Sequence, residues 1–214
     1  MKITKVYSFK KGKYFLNKNH KKELKDIENV IKNTDALSCL TKVSQEKTKK
    51  GDILISPIDL NKSLKIPLCN LGWTKKTSSK KGFKEPRHKF GTRRFREMDG
   101  IKNKVGLEIQ FGKYAFMGYD IFSKMPMFKN LGYIECGIEI VPDHDLCTYM
   151  STGVSDFDQL MIDFNNRGES DIDIPVLVIA LGLTDDEKER IKQIKLSNKK
   201  IKPTKNKGNL PGPK

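Results

Sequence analysis

MDGIKNKVGLEIQFGKYAF, residues 98–116, carries the densest information in the chain. Val105 to Phe111 alternates in the manner of a strand, with Glu108 and Gln110 on one face and Ile109 on the other. Asp99 lies nine residues before Glu108, separated from it by Gly100 and the polar run Lys102-Asn103-Lys104. A chain reversal near Lys102 and Asn103 brings Asp99 and Glu108 together across a hairpin. The Ile109 side chain then enters the core, while its backbone carbonyl is left to help bind an ion. Two carboxylates and a carbonyl are hard oxygen ligands of the kind Mg²⁺ accepts, with water and a phosphate completing an octahedron. On spacing alone, a salt-bridged surface hairpin fits these residues as well as a catalytic centre does.

Working outward, a helix fits Tyr114 to Met125, where Met117, Ile121 and Met125 recur every four residues before Pro126 closes it. A strand is expected at Tyr133–Val141. Ser155 then caps a helix that places Phe157, Leu160, Met161 and Phe164 on one face, and the apolar run Pro175–Leu183 reads as a buried strand. Upstream, Leu24, Ile27 and Ile31 lie at helical spacing and Asn33 offers a stop. Ser56-Pro57 is a cap followed by proline at the first helical position, opening a helix that ends by Gly72. Alternating elements around a mixed sheet give α/β architecture. There is no internal repeat.

The 214 residues include 42 Lys+Arg against 26 Asp+Glu, a formal net charge of +16, which points to a polyanionic partner. The excess is concentrated. Lys75 to Arg96 reads KKTSSKKGFKEPRHKFGTRRFR, a basic stretch with Gly82, Pro86 and Gly91 as loop punctuation, suited to touching phosphates from a solvated loop. From Arg190 onward there is no acidic residue. The expected organisation is therefore a domain over residues 1–185, with a basic loop at 75–96, and a basic tail without ordered structure at 186–214. No apolar run approaches the ~20 residues that span a bilayer, and MKITKVYSF lacks the apolar core of a secretory signal. Cys39, Cys69, Cys136 and Cys147 are scattered, with no Cys-x-x-Cys pair, as expected of reduced thiols in a cytoplasmic protein.

Asp-x₈-Glu-x-Gln is a variant of the PD-(D/E)XK nuclease signature. The longer stretch GLEIQFGKYAFMGYDIFSK, residues 106–124, resembles the active-site strand and following helix of the BglII/BamHI group of type II restriction endonucleases, in its BglII/BstYI branch. The resemblance continues through Asp35-Ala36, Cys39, Thr41-Lys42, Ser44, Glu46 to Lys49 and Gly51. It runs on through Ser56-Pro57, Leu60-Asn61, Gly72-Trp73, GIEIVP at 137–142, Met150-Ser151, Gly153, Ser155 and Ile174–Val178. It covers roughly residues 1–183 and fails in the basic loop and the tail. It implies a restriction-endonuclease-like core, a central mixed β-sheet flanked by helices, with Asp99 and Glu108 as metal ligands. Gln110 stands where most PD-(D/E)XK nucleases hold Lys, as it does elsewhere in this branch, and Met98 replaces the proline of the signature. A neutral Gln cannot take a proton, so the attacking water must be activated by the metal or by the substrate.

The resemblance further implies recognition residues. Gly112-Lys113 occupies the place of a base-contacting segment, where Lys113 would donate to guanine N7 or O6; a phosphate contact or an ordinary first-turn lysine are the alternatives. Ser151, Thr152, Gly153 and Ser155 resemble the second recognition loop, although capping alone would also account for them. Helices at Tyr114–Met125 and Ser155–Asn165 resemble dimer helices. Together these imply a homodimeric, Mg²⁺-dependent enzyme cutting double-stranded DNA at a short palindrome, GATC-centred with 5′ overhangs, alongside a cognate DNA methyltransferase acting on the same site. A catalytically silent DNA-binding protein on the same scaffold is the rival, and a basic RNA-binding protein explains the charge but not the carboxylate pair. His20, His88 and His144 show no His-Asn-His or zinc spacing, Asp143-His144-Asp145 reads as a polar turn before a metal site, and Trp73 belongs to the core or a subunit interface.

Overall fold

The computed structural model describes residues 1–167 and 173–201. In chain order it forms β1 (Lys2–Phe9), α1 (Gly12–Asn19), α2 (Lys21–Asn33), the short strands β2 (Lys42–Val43) and β3 (Ile53–Leu54), and α3 (Pro57–Asn70). Three hairpins follow: β4–β5 (Lys75–Lys76, Phe83–Lys84), β6–β7 (Arg87–Phe90, Arg94–Glu97) and β8–β9 (Gly100–Lys102, Val105–Ile109). The rest comprises α4 (Tyr114–Tyr119), a π turn (Asp120–Lys124), α5 (Met125–Asn130), β10 (Cys136–Pro142), α6 (His144–Thr148), α7 (Phe157–Arg167), β11 (Val176–Gly182) and α8 (Asp185–Ile201).

The main sheet has the order β1-β11-β10-β9-β8, parallel at its centre and antiparallel at both edges. Alternation along the three central strands divides the core in two. Leu107, Ile109, Ile138, Ile140, Leu177 and Ile179 pack toward α1, α2 and α3, where Leu24, Ile27, Leu60 and Leu64 are buried. Val176 and Val178 face the opposite layer, built by Met117, Ile121, Met125, Leu160 and Phe164 from α4 to α5 and α7. The same alternation sends Gly106, Glu108, Gly137 and Glu139 to that second layer. Gly137 is needed there, because a Cβ would lie 2.4 Å from Met125 Sδ.

One turn positions the candidate centre. Asn103 and Lys104 both have positive φ, 45° and 67°, the two-residue hairpin turn whose twist matches that of the strands. The reversal therefore comes one residue later than the sequence suggested. That shift matters: it fixes Gly100 opposite Leu107 and so carries Asp99 to the level of Glu108, whereas the earlier turn would have paired it near Gly106.

Several expectations need correction. The helix from Tyr114 does not stop at Pro126 but runs to Asn130, because the Met125 N–H donates to the Asp120 carbonyl five residues back. This widened turn lets the helix pass a proline that lacks an N–H of its own. Asp156, not Ser155, caps α7: its carboxylate accepts the Gln159 N–H at 3.0 Å, and the Gln159 side chain returns the bond to the Asp156 N–H at 3.2 Å. The basic stretch 75–96 is two hairpins, not an open loop, anchored by buried Phe83 and by the Arg87–Glu97 ion pair across β6–β7. Residues from Asp185 to Ile201 form α8 where the sequence suggested a tail without ordered structure. Thr184 and Glu187 form a reciprocal cap, the Glu187 carboxylate also accepts the Ala36 N–H at 3.1 Å, and Ile191 is buried, so α8 belongs to the domain. The tail expectation for residues 202–214 lies outside the described residues. Among the described residues, no helix is long and apolar enough to cross a membrane.

Candidate active site

Asp99, at the entrance to β8, uses one carboxylate oxygen to accept the Ile109 N–H at 2.8 Å and the other to meet Lys65 Nζ at 2.5 Å. The Ile109 side chain is buried as expected, but its carbonyl is not free, since it accepts from Asn61 Nδ2 at 3.1 Å. A carbonyl has a second lone pair, so that bond does not remove it as a ligand. Glu108 is 3% exposed. Lys124 Nζ lies 3.0 Å from its Oε1, at ion-pair distance but outside hydrogen-bond geometry. The same ammonium sits 2.5 Å from Asp120 Oδ1, and Asp120 Oδ2 accepts from Gln110 Nε2 at 3.5 Å. Gly112 leaves room for that amide, for a Cβ there would lie 2.8 Å from Gln110 Oε1. The structure thus brings Asp99, Glu108, Ile109 and Gln110 together at the end of β9.

Sequence reasoning missed the residues that surround them. Lys65 and Asn61 come from α3, and Asp120 and Lys124 from the π turn. Glu139 stands beside Glu108 in the parallel register of β10 and β9, fully buried, with neither carboxylate oxygen hydrogen-bonded. A lone acid inside the apolar strand GIEIV was the signal in the sequence. Burial, then the nearby charges of Asp99 and Asp120, pushes Glu108 well above the usual carboxylate range, with Lys124 pulling the other way. Glu139 is raised in the same direction by burial first, then by Asp120 and Glu108. Burial works against the charge on Lys124, but Glu108 and Asp120 outweigh it and hold the ammonium above its ordinary value.

These shifts have a consequence for stability. Glu139 binds its proton more tightly folded than unfolded, so its contribution is complete below the ordinary carboxylate value and is lost as pH rises toward the folded value. Glu139→Gln is therefore expected to flatten the fall in thermal midpoint as pH rises above the ordinary carboxylate range, measured by circular dichroism in EDTA. Parallel midpoint curves for the two proteins would contradict this.

The donor set suits a small hard cation. Asp99 and Glu108 offer carboxylate oxygens, one of them with no hydrogen bond, and the Ile109 carbonyl adds a third oxygen. Among the described residues no three His, Cys, Asp or Glu side chains form a ready-made cage.

A cleft of about 500 Å³ opens beside Gln110. Asn61, Lys62 and Lys65 of α3 line it together with Lys80, Lys81 and Phe83 of the β4–β5 hairpin, so four lysines stand in the cleft next to Gln110. Lys65 and Lys81 share Glu85.

The recognition candidates also converge. Lys113 is exposed at the start of α4. The Ser155 N–H donates to the Gly112 carbonyl at 3.2 Å, tying the 151–155 segment to the chain just beyond β9. Ser155 itself is 5% exposed, so it serves by its backbone more than by its hydroxyl. Gly153 has φ 84°, a conformation that favours glycine. The block from β2 to β3 clasps this loop: both Glu46 carboxylate oxygens accept the Thr152 N–H at 3.1 Å, Lys49 Nζ donates to the Thr148 and Met150 carbonyls, and Lys42 reaches the Ser151 hydroxyl. The Thr152 N–H holds Glu46 below the usual carboxylate range.

Comparison with known proteins covers nearly the whole of this arrangement. The family described as restriction endonuclease BglII/BglIII matches residues 4–181. Among solved structures, the crystal structure of restriction endonuclease BglII complexed with a DNA 16-mer is similar in fold. Its TM-score is 0.62 and its identity 19%, over 85% of this chain and 76% of that one. No curated protein sequence matches.

Proposed function

The chain belongs to the restriction endonuclease BglII/BglIII family, a family of site-specific deoxyribonucleases, and from that premise we propose a homodimeric, Mg²⁺-dependent enzyme that cuts duplex DNA at a short palindrome. The target is GATC-centred and cut with 5′ overhangs, and the protein works in the cytoplasm beside a methyltransferase that protects the same site. One observation carries the reading: Asp99 accepts the Ile109 N–H, which seats it beside Glu108 across the β8–β9 hairpin, and its ion-pair partner Lys65 is one of four lysines lining the neighbouring cleft. A pure binder has no use for two carboxylates brought together beside the end of β9. Asp99, Glu108 and the Ile109 carbonyl would hold the cation, which when bound supplies Lewis acidity at the phosphate and a more acidic attacking water. Gln110 orients by hydrogen bonding and cannot act as base. Lys62, Lys80 and Lys81 draw the phosphate backbone into the cleft without reading sequence.

The test is incubation with plasmid DNA in Mg²⁺ and, in parallel, in EDTA. Discrete fragments with Mg²⁺ alone are expected. Intact plasmid in both, with sequence-specific retention, would favour the silent binder.

The dimer is supported by two exposed apolar side chains on neighbouring helices, Phe116 on α4 at 56% and Ile162 on α7 at 59%. A twofold dimer places one centre on each strand of a palindrome. Phe116→Asp with Ile162→Asp is expected to give a monomer by sedimentation at micromolar concentration, where the parent protein is a dimer. A monomeric parent would overturn the assembly.

A further inference from the structure

Position 110, two residues after Glu108, holds a neutral amide, so the catalytic strand brings no cation to its own carboxylates. The π turn brings one instead. Lys124 Nζ lies 3.0 Å from Glu108 Oε1 and 2.5 Å from Asp120 Oδ1, and Asp120 in turn accepts from the Gln110 amide. We propose that Lys124 is a positioning residue of the cleavage reaction, its ammonium fixing Glu108 directly and Gln110 through Asp120. The proposal rests on the active-site reading above and deepens it.

Three observations support it beyond proximity. The group is enclosed: the Lys124 side chain is 15% exposed and that of Asp120 3%, among Met117, Ile121 and Met125. Burying ionised partners is seldom the most stable way to fill an apolar layer, and hydrophobic residues of similar volume often do it as well or better. The network reaches Glu108 on β9 and Gln110 just beyond it, so moving the ammonium disturbs the two together. The backbone beneath it departs from α-helix at Asp120–Lys124, the one segment of the described chain with π geometry, and such turns recur at functional sites. Lys65 on Asp99 offers no equivalent, because its other carboxylate partner, Glu85, lies in the β4–β5 region and not on the catalytic strand.

The experiment compares Lys124→Met and the charge-neutral pair Lys124→Met/Asp120→Asn with the parent protein. Single-turnover cleavage is started by Mg²⁺ from a preformed DNA complex, and affinity is measured separately in Ca²⁺, which suppresses cutting. Both variants are expected to cut about 10²-fold more slowly with affinity unchanged, as for partners that orient metal-ligating groups. The side-chain amide resonance of Gln110, assigned through Gln110→Ala, should also shift in Lys124→Met before any metal or DNA is added. Wild-type rates in the double variant would overturn the proposal, since the lysine would then merely neutralise Asp120. If Lys124→Met fails to fold, the double variant, which leaves no unpaired Asp120 charge, carries the test alone. Asp99→Asn runs beside them: undiminished cutting there would fell the active-site reading itself, a result distinct from fast cutting by the Lys124 variants alone.

Discussion

Asp99→Asn and Glu108→Gln are each expected to lower cleavage by about 10³-fold or more, while the chain stays folded and keeps its hold on DNA. Each change removes one anionic oxygen from a cation that must stabilise charge developing at phosphorus, an effect worth several kcal/mol. Neither should unfold the chain. The new Asn oxygen still accepts the Ile109 N–H that Asp99 accepts at 2.8 Å, and Lys65 retains Glu85 at 3.6 Å. Glu108→Gln removes a buried carboxylate whose ionisation burial already opposes, and Lys124 keeps Asp120. Affinity in Ca²⁺ should hold or tighten, because less negative charge then faces the backbone. Wild-type rates in either variant, with circular dichroism unchanged, would remove these residues from the chemistry.

Lys113→Ala is expected to weaken cognate binding about 10–10²-fold and leave non-specific binding nearly unchanged. A bidentate contact to a base edge discriminates by ~1–3 kcal/mol, whereas a phosphate contact discriminates nothing. Lys113 is exposed three residues beyond Gln110, and the Ser155–Gly112 bond seats the 151–155 loop beside it. Glu46→Ala should act in the same direction more mildly, by releasing the Thr152 N–H and with it the loop. The measurement is the ratio of specific to non-specific affinity at one salt concentration in Ca²⁺. Equal losses on both DNAs would assign Lys113 to the phosphates.

What could be read in advance followed from short-range physics. Val105 to Ile109 declares itself by alternation, α2 by Leu24, Ile27 and Ile31, and α3 by its Ser56-Pro57 start. The turn was misjudged by one residue because Asn103-Lys104 lacks the glycine that usually marks such a reversal. The basic stretch hid its hairpins because their strands are only two to four residues long, too short for a period to show. Two local signals were present and overlooked: Thr184 with Glu187, and Asp156 with Gln159, each a capping pair three residues apart. That Asp99, Glu108 and Gln110 come together was legible because they lie on one hairpin and its exit. Their surroundings were not. Lys65 lies 34 residues from Asp99, and Glu46 106 residues from Thr152, distances over which no local pattern carries information.

The most direct measurement is sequencing of fragment ends from one DNA substrate digested in Mg²⁺ by the wild-type protein and, side by side, by Glu108→Gln. The account predicts wild-type ends that converge on a single palindrome with 5′ overhangs, and no ends above background from the variant. Scattered or absent wild-type ends, or the same ends from both proteins, would contradict it.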